Sequence, residues 1–377
     1  MLKFIKVTLY RGVNVSDGFF DVMEEQSKIK SIIVEKYFDS WVKIIEKRSK
    51  QFAYIDLFSG PGVYKDGNES TPIKILKLCI KNNYLDIITV FNDKDRMNIE
   101  VLENNVRALP GIENLKIYPQ FLNNAISHDI SSYFKEKYKM PSFSFVDPCG
   151  YEGLTYDLIN SLTRDWGCDC VFFFNFNRVN MALTNDKVED HINKLFTIKV
   201  ANRLRSEIKN LAGDKREELI IKELCYQYSY NDLFFVLPFK FVFKDKDRTS
   251  HYLIFVTKNS TAYKIMKEIM WSVSSTHIDN IGSFSFKPNN SKKNTQMNLF
   301  SQLDALNHSL DEILLKDFRG QSLKVKQIYE KHNKNTPFVL KNYKEALLRL
   351  EEKGKIKAFP EKRRINTMGD DVMIKFK

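Results

Sequence analysis

Apolar side chains at Ile29, Ile32, Ile33, Tyr37, Trp41 and Ile45 recur at helical spacing, predicting an amphipathic helix over 24–48. The period then changes. Phe52-Ala53-Tyr54-Ile55 is an unbroken apolar run that enters Asp56-Leu57-Phe58 and the turn Ser59-Gly60-Pro61-Gly62, the pattern of a buried strand feeding a glycine loop. Ser70-Thr71-Pro72 then opens a helix at Ile73–Leu78. Further buried strands are predicted at Ile87–Phe91, ending in Asn92-Asp93-Lys94-Asp95, at Ser142–Val146, ending in Asp147-Pro148-Cys149-Gly150, and at Cys170–Phe174, ending in Asn175-Phe176-Asn177. Helical stretches such as Arg96–Leu109 and Leu154–Thr163 separate them, and this alternation predicts a mostly parallel α/β sheet.

Late strands are predicted at Phe234–Val236, Phe239–Phe243 and Tyr252–Thr257, with a helix at Ala262–Trp271. These complete a first domain over 1–286. From Lys287 to Thr295 the apolar content falls away, which marks 287–300 as a linker. The remainder, 301–377, carries helical patterns at Leu303–Lys316, Val325–Lys331 and Pro337–Lys353. Gly354–Phe359 and Met373–Phe376 follow as a hairpin around Lys362-Arg363-Arg364, and the order predicts a small winged helix-turn-helix domain.

Charge sharpens this division. The 377-residue chain has a formal net charge of +12, and from Lys287 onward twenty Lys and Arg face eleven Asp and Glu. A basic module on a more neutral body is the footprint expected of a nucleic-acid partner, although a solvated lysine-rich surface gives the same count. Lys341, Lys344 and Arg349 fall at helical spacing where they meet phosphates or form the wet face of a helix, and Lys362, Arg363 and Arg364 sit in the wing. No run of eighteen apolar residues is present, so no membrane helix is expected. MLKFIKVTLYRG lacks the apolar core and small-residue cleavage site of a secretory leader. Five cysteines without paired spacing and six scattered histidines argue for reduced thiols in a cytoplasmic protein and against a bound metal.

Three predicted strands end in acids, Asp56, Asp93 and Asp147, at the sheet edge where open α/β folds bind ligands. The glycine loop lacks the Gly-Lys-Ser/Thr of a phosphate loop and the third glycine of GxGxxG. An acid just before a short Gly-x-Gly turn resembles the first motif of S-adenosylmethionine (SAM) dependent methyltransferases. That resemblance makes Asp56, Phe58, Gly60 and Gly62 candidates for holding the amino-acid end of SAM. Asp93 becomes the acceptor for ribose hydroxyls, or else a turn residue, and Asn123 or Asn124 lies beside the adenine.

Asp147-Pro148 resembles the start of the Asp/Asn-Pro-Pro-aromatic motif of amino-group methyltransferases, in which the carboxylate grips the acceptor amine and the ring stacks on an extruded base. Here Cys149-Gly150 replaces the second proline and the aromatic, leaving Tyr151 as the candidate ring. The rival, carbon-5 methylation of cytosine through a Cys149 thiolate, lacks the expected Glu-Asn-Val element, and a cysteine packed as a small apolar residue is the plainer reading.

The order of these motifs resembles the three-Cys-motif partner (TcmP) family. The carrying segments are Lys28–Trp41 with its KxxxVEKYFDSW pattern, YIDLFSGPGVY at 54–64, Ser70-Thr71-Pro72-Ile73, FNDKD at 91–95, FVDPCG at 145–150, HYLIFVTKNSTAYKIMKEIMW at 251–271 and ALLRLEEKGKI at 346–356. The resemblance implies a Rossmann-like SAM methyltransferase domain with a C-terminal winged helix, in bacterial or archaeal cells, beside a companion three-Cys-motif protein. The expected activity is methylation of nucleic acid, DNA rather than RNA, at an exocyclic amino group. A SAM-binding protein without turnover stands as the alternative.

Overall fold

The apolar stripe predicted near the start of the chain forms helix α1 (Glu25–Ile45), whose Ile33, Val34, Tyr37, Phe38 and Trp41 are buried. The structure, a computed structural model, describes residues 23–126, 140–148, 150, 152–246, 248–278, 281–288 and 310–377. After α1 come β1 (Ala53–Asp56), α2 (Thr71–Lys81), β2 (Ile88–Asn92), α3 (Arg96–Arg107), β3 (Gln120–Leu122), β4 (Ser142–Val146), α4 (Tyr156–Leu162) and β5 (Asp169–Phe174). Then follow α5 (Phe176–Ala182), α6 (Glu189–Glu207), α7 (Gly213–Ser229), β6 (Phe235–Val242), β7 (Thr249–Thr257), α8 (Ser260–Val273), β8 (His277–Ile278), β9 (Ile281–Gly282) and β10 (Ser285–Phe286).

Eight of these strands make one sheet in the order β10-β6-β7-β5-β4-β1-β2-β3. β1 to β5 run parallel, while β7 lies antiparallel between β5 and β6. This is the Rossmann-like, mostly parallel sheet expected from the sequence. One face is covered by α1, α2, α3 and α8, and the other by α4 to α7. Burial on both faces explains why the central strands read as continuous apolar runs.

Two late runs read as separate strands are one. β6 passes through Pro238, and β10 pairs only with Lys240 and Phe241, so the proline lies along an open edge where a missing N–H costs no ladder bond. The sequence pattern did not reveal α6 and α7. α6 is kinked at Thr197 (φ 59°), so its apolar positions do not hold one phase.

Beyond the described stretch ending at 288, residues 310–317 are helical and are followed by β11 (Ser322–Lys324), α9 (Val325–His332), α10 (Leu340–Glu352), β12 (Ile356–Phe359) and β13 (Met373–Phe376). The last three strands form an antiparallel sheet in the order β11-β13-β12. Leu310, Leu314, Ile328, Leu347, Ile374 and Phe376 close its core, giving the expected winged helix-turn-helix. Most of the predicted linker 287–300, and the start of the Leu303 helix, lie outside the described residues. The winged helix is fastened to the first domain through α8. Lys267, wholly buried, donates from Nζ to the Asn333 carbonyl at 2.6 Å, and Ile281 joins the winged-helix core.

Candidate functional site

Parallel register brings the three strand-end acids together. Asp56 is level with Phe91 of β2 and Phe145 of β4, so Asp93 and Asp147 each stand two residues further along neighbouring strands. All three line a cleft of about 980 Å³ at the carboxyl edge of the sheet. Phe58, Ser59, Ser70, Asn124, Pro148 and Arg178 share its wall.

Asp56 is 1% exposed. Its Oδ1 accepts from Phe58 N at 3.2 Å, and Tyr54 Oη donates to Oδ2 at 3.4 Å. Burial, with a smaller push from the charges of Asp147 and Asp93, raises its carboxyl to about 8 against the lowering effect of the Phe58 N–H and the Tyr54 hydroxyl. At neutral pH the ligand-free acid is therefore mostly protonated. Asp93 is tied to the glycine loop, its carboxylate accepting from Gly60 N at 2.9 Å and from Asp95 N at 2.8 Å. Gly60 (φ 61°) and Gly62 (φ 83°) adopt the left-handed turn, and a Cβ on Gly62 would meet Leu102 at 2.6 Å. Both glycines shape the loop and are not among the residues lining the cleft.

Asn123 is likewise off the wall, donating from Nδ2 to the Asp93 and Lys94 carbonyls at 3.0 Å each, while Asn124 lines the cleft. Of the two asparagines left open by the sequence, Asn124 has the position. Tyr151 and Cys149 lie outside the described residues.

Two residues that shape the site were not singled out from the sequence. Lys30 of α1 places Nζ 2.7 Å from Asp147 Oδ2 and 4.6 Å from the centroid of the Phe173 ring. The acid proposed to grip an acceptor thus already holds an ammonium from the first helix. The available signal was its phase, because Lys30 precedes Ile33, Tyr37 and Trp41 on the buried stripe of α1. Asn92, 1% exposed, stitches three strand ends: Nδ2 donates to the Leu57 and Asn124 carbonyls, and Oδ1 accepts from Asn124 N. It was legible only as the end of an apolar run.

The donor set fits a ligand with both cationic and polar ends. Five acids of the wall (Asp56, Asp93, Asp95, Asp147 and Glu152) face Lys30, Lys94 and Arg178, a balance that leans towards a positive ligand once Asp56 ionises. Ser70 Oγ, on the cleft wall at the start of α2, is buried without a hydrogen-bond partner among the described residues. SAM carries a sulfonium, an ammonium, a carboxylate and ribose hydroxyls, and the volume is at the upper end of ordinary small-molecule sites.

In the winged helix the predicted contact residues divide. Lys344 pairs with Asp370 at 2.6 Å, Lys341 approaches Glu345 at 3.9 Å, and Arg349 holds Asp311 at 2.8 Å. Arg363 turns inward to Glu351 and to the Thr367 and Pro360 carbonyls. Those interactions give Arg349 and Arg363 structural duties inside the module. The side chains of Lys362 and Arg364 are exposed and form no ion pair among the described residues.

Residues 285–363 match the family model of the GMT-like wHTH domain. Among solved structures, protein LPL1258 from Legionella pneumophila is 9% identical, with 64% of this chain and 91% of that one covered at a TM-score of 0.38. The methyltransferase domain of bacterial CtHen1-C is 10% identical over 60% of this chain and 98% of its own, at 0.32. A SAM-dependent methyltransferase from Agrobacterium tumefaciens is 7% identical over 61% and 62%, at 0.33. No curated protein matches the chain. Among the described residues no helix is long and apolar enough to cross a membrane.

Proposed function

We propose that this chain is a SAM-dependent methyltransferase that modifies nucleic acid, with an exocyclic amino group of a DNA base as acceptor. The observation that carries the reading is the convergence of Asp56, Asp93 and Asp147 on one cleft at the carboxyl edge of a Rossmann-like sheet. SAM supplies an electrophilic methyl group on a sulfonium. The residues of the chain supply position and charge. Asp56, Phe58, Asn124 and the unpartnered Ser70 hydroxyl would hold the cofactor, and Asp93 fixes the glycine loop from beneath.

Asp147 and Pro148 would receive the acceptor, with Tyr151 as the stacking ring. Lys30 limits Asp147 to one orientation, leaving its second oxygen for the incoming N–H. The division into a methyltransferase body at 1–286, a linker at 287–300 and a winged helix at 301–377 assigns nucleic-acid binding to the last part. On the resemblance to three-Cys-motif partner proteins, a companion protein of that type would work beside it in the bacterial cytoplasm.

The test is calorimetric titration of SAM and its demethylated product into the full chain, followed by tritiated-methyl transfer to DNA and RNA. Binding that is lost in Asp56→Ala, with transfer to DNA lost in Asp147→Ala, supports the reading. Absence of SAM binding sinks it; binding without transfer to any nucleic acid identifies a SAM-binding protein instead.

A further inference from the structure

The cations of the winged helix are not equivalent. Along the outer side of α10, Lys341 and Lys344 face Glu345 and Asp370, and Glu352 adds another acid. The small sheet differs. Strand alternation turns Ile356, Ala358, Ile374 and Phe376 into the core and Lys357 and Lys375 outward, each exposed. Lys357 and Lys375 are direct cross-strand partners, and Lys355, also exposed, precedes β12 in the same phase. Like charges directly opposite on a sheet destabilise it unless an anion lies between them. None of Lys355, Lys357 and Lys375 has an acidic partner among the described residues, nor do Lys362 and Arg364 in the wing that joins the two strands. By contrast, Lys324 and Lys326 at the far edge share the Asp371 carboxylate between them.

We infer that the outer face of the β12–β13 sheet and its wing, rather than helix α10, is the surface that binds the sugar–phosphate backbone of duplex DNA. The inference rests on the proposed reading that nucleic acid is the substrate. Cations already paired within the protein must give up a partner before they meet a phosphate, whereas the five unpaired ones need only release counterions. Phosphate contact of this kind positions the duplex without reading its sequence. A single strand would call for a row of stacking rings. The face offers one aromatic, Phe359 at 39% exposure, and the wing adds Ile365 at 85%, too little for a stacking platform.

The experiment is fluorescence anisotropy of the full chain with a short labelled duplex of random sequence, between about 50 and 200 mM salt. If all five cations meet phosphates, the slope of log affinity against log salt is roughly −4.5. The double variant Lys357→Gln/Lys375→Gln is expected to make that slope shallower by about 2 and to weaken binding at low salt by more than tenfold. Lys341→Gln/Lys344→Gln should leave the slope nearly unchanged. All four positions reach solvent, and SAM calorimetry on the same variants verifies the fold and the cleft separately. The reverse pattern, with the α10 variant flattening the slope, overturns the inference. So does tighter binding of single-stranded DNA or of RNA than of the duplex. If no nucleic acid binds while SAM does, this surface assignment falls and the cofactor reading stands. If SAM fails and the duplex slope behaves as described, the surface stands without the methyltransferase.

Discussion

Lowering the pH from about 8 to 6 is expected to weaken SAM binding steeply, because Asp56 must be ionised to face a cation. Its carboxyl titrates at about 8 in the ligand-free cleft, chiefly through burial and then through the charges of Asp147 and Asp93. A sulfonium is permanently positive and favours the ionised form. If Asp56 stays ionised in the complex over this range, apparent affinity is lowered by a factor equal to the reciprocal of the ionised fraction of the free protein. That factor is about 2 at pH 8, about 11 at pH 7 and about 100 at pH 6. Binding should therefore weaken roughly fifty-fold over two pH units, about 1.4 kcal/mol for each unit well below the midpoint.

Calorimetry in buffers of different ionisation enthalpy would show the same linkage as release of nearly one proton per ligand at pH 7. Asp56→Asn should flatten the profile. The sign for folding is the opposite: because the native carboxyl titrates above its unfolded value, its contribution to stability is fully present below about pH 4 and is lost as pH rises through about 8. The stabilisation conferred by ligand should thus grow with pH while the contribution of Asp56 to the stability of the free protein falls. A pH-independent Kd in the wild type, or a slope that persists in Asp56→Asn, would refute the argument.

Removing the ammonium from Lys30 while keeping its length, as in Lys30→Met, is expected to cost about 2 kcal/mol, since it strands the partly buried Asp147 carboxylate. Urea unfolding should show the loss, and Lys30→Met/Asp147→Asn should recover much of it; equal stability of wild type and single variant would deny the pair any structural weight. Lys267 titrates at about 7 through burial, far below a free lysine, so folding stability should rise with pH between about 7 and 10 as the unfolded chain alone holds the extra proton. Thermal melts across that range should show this rise in the wild type and its loss in Lys267→Met, and parallel profiles would contradict it.

Parallel strands buried on both faces are written as unbroken apolar runs, and this is why β1, β2 and β4, with their acidic ends, and β5 could be placed from sequence. Their convergence was readable as well, because parallel pairing puts strand ends on one edge. Lys30 shows where that reasoning stops. Periodicity identifies the face on which a residue lies, but the carboxylate that Lys30 meets is 117 residues away. Asn92 was hidden for a related reason, since three of its partners are backbone atoms contributed by other strands. Arg363 and Arg364 are neighbours of the same type in one loop, yet one is folded onto Glu351 and the other is exposed. Composition treats them alike; only the wing's path separates them.

The way the winged helix is attached bears on how cleft and nucleic acid would meet. A flexible linker would let a bound duplex wander over a distance that grows with the square root of linker length. Here the module is seated on α8 by the buried Lys267 amino group, which donates to the Asn333 carbonyl, and by Ile281 within its core. A donor taken out of water keeps its place only while that carbonyl stays in reach, because leaving it unsatisfied costs about 1–3 kcal/mol. α8 in turn packs on α1, the helix that carries Lys30 to Asp147. Cleft and winged helix are therefore joined through two adjacent helices. On the proposed reading, the body presents the acceptor position at a set offset from the phosphates held by the wing, so target choice would come from the geometry of the duplex as much as from contacts with its bases.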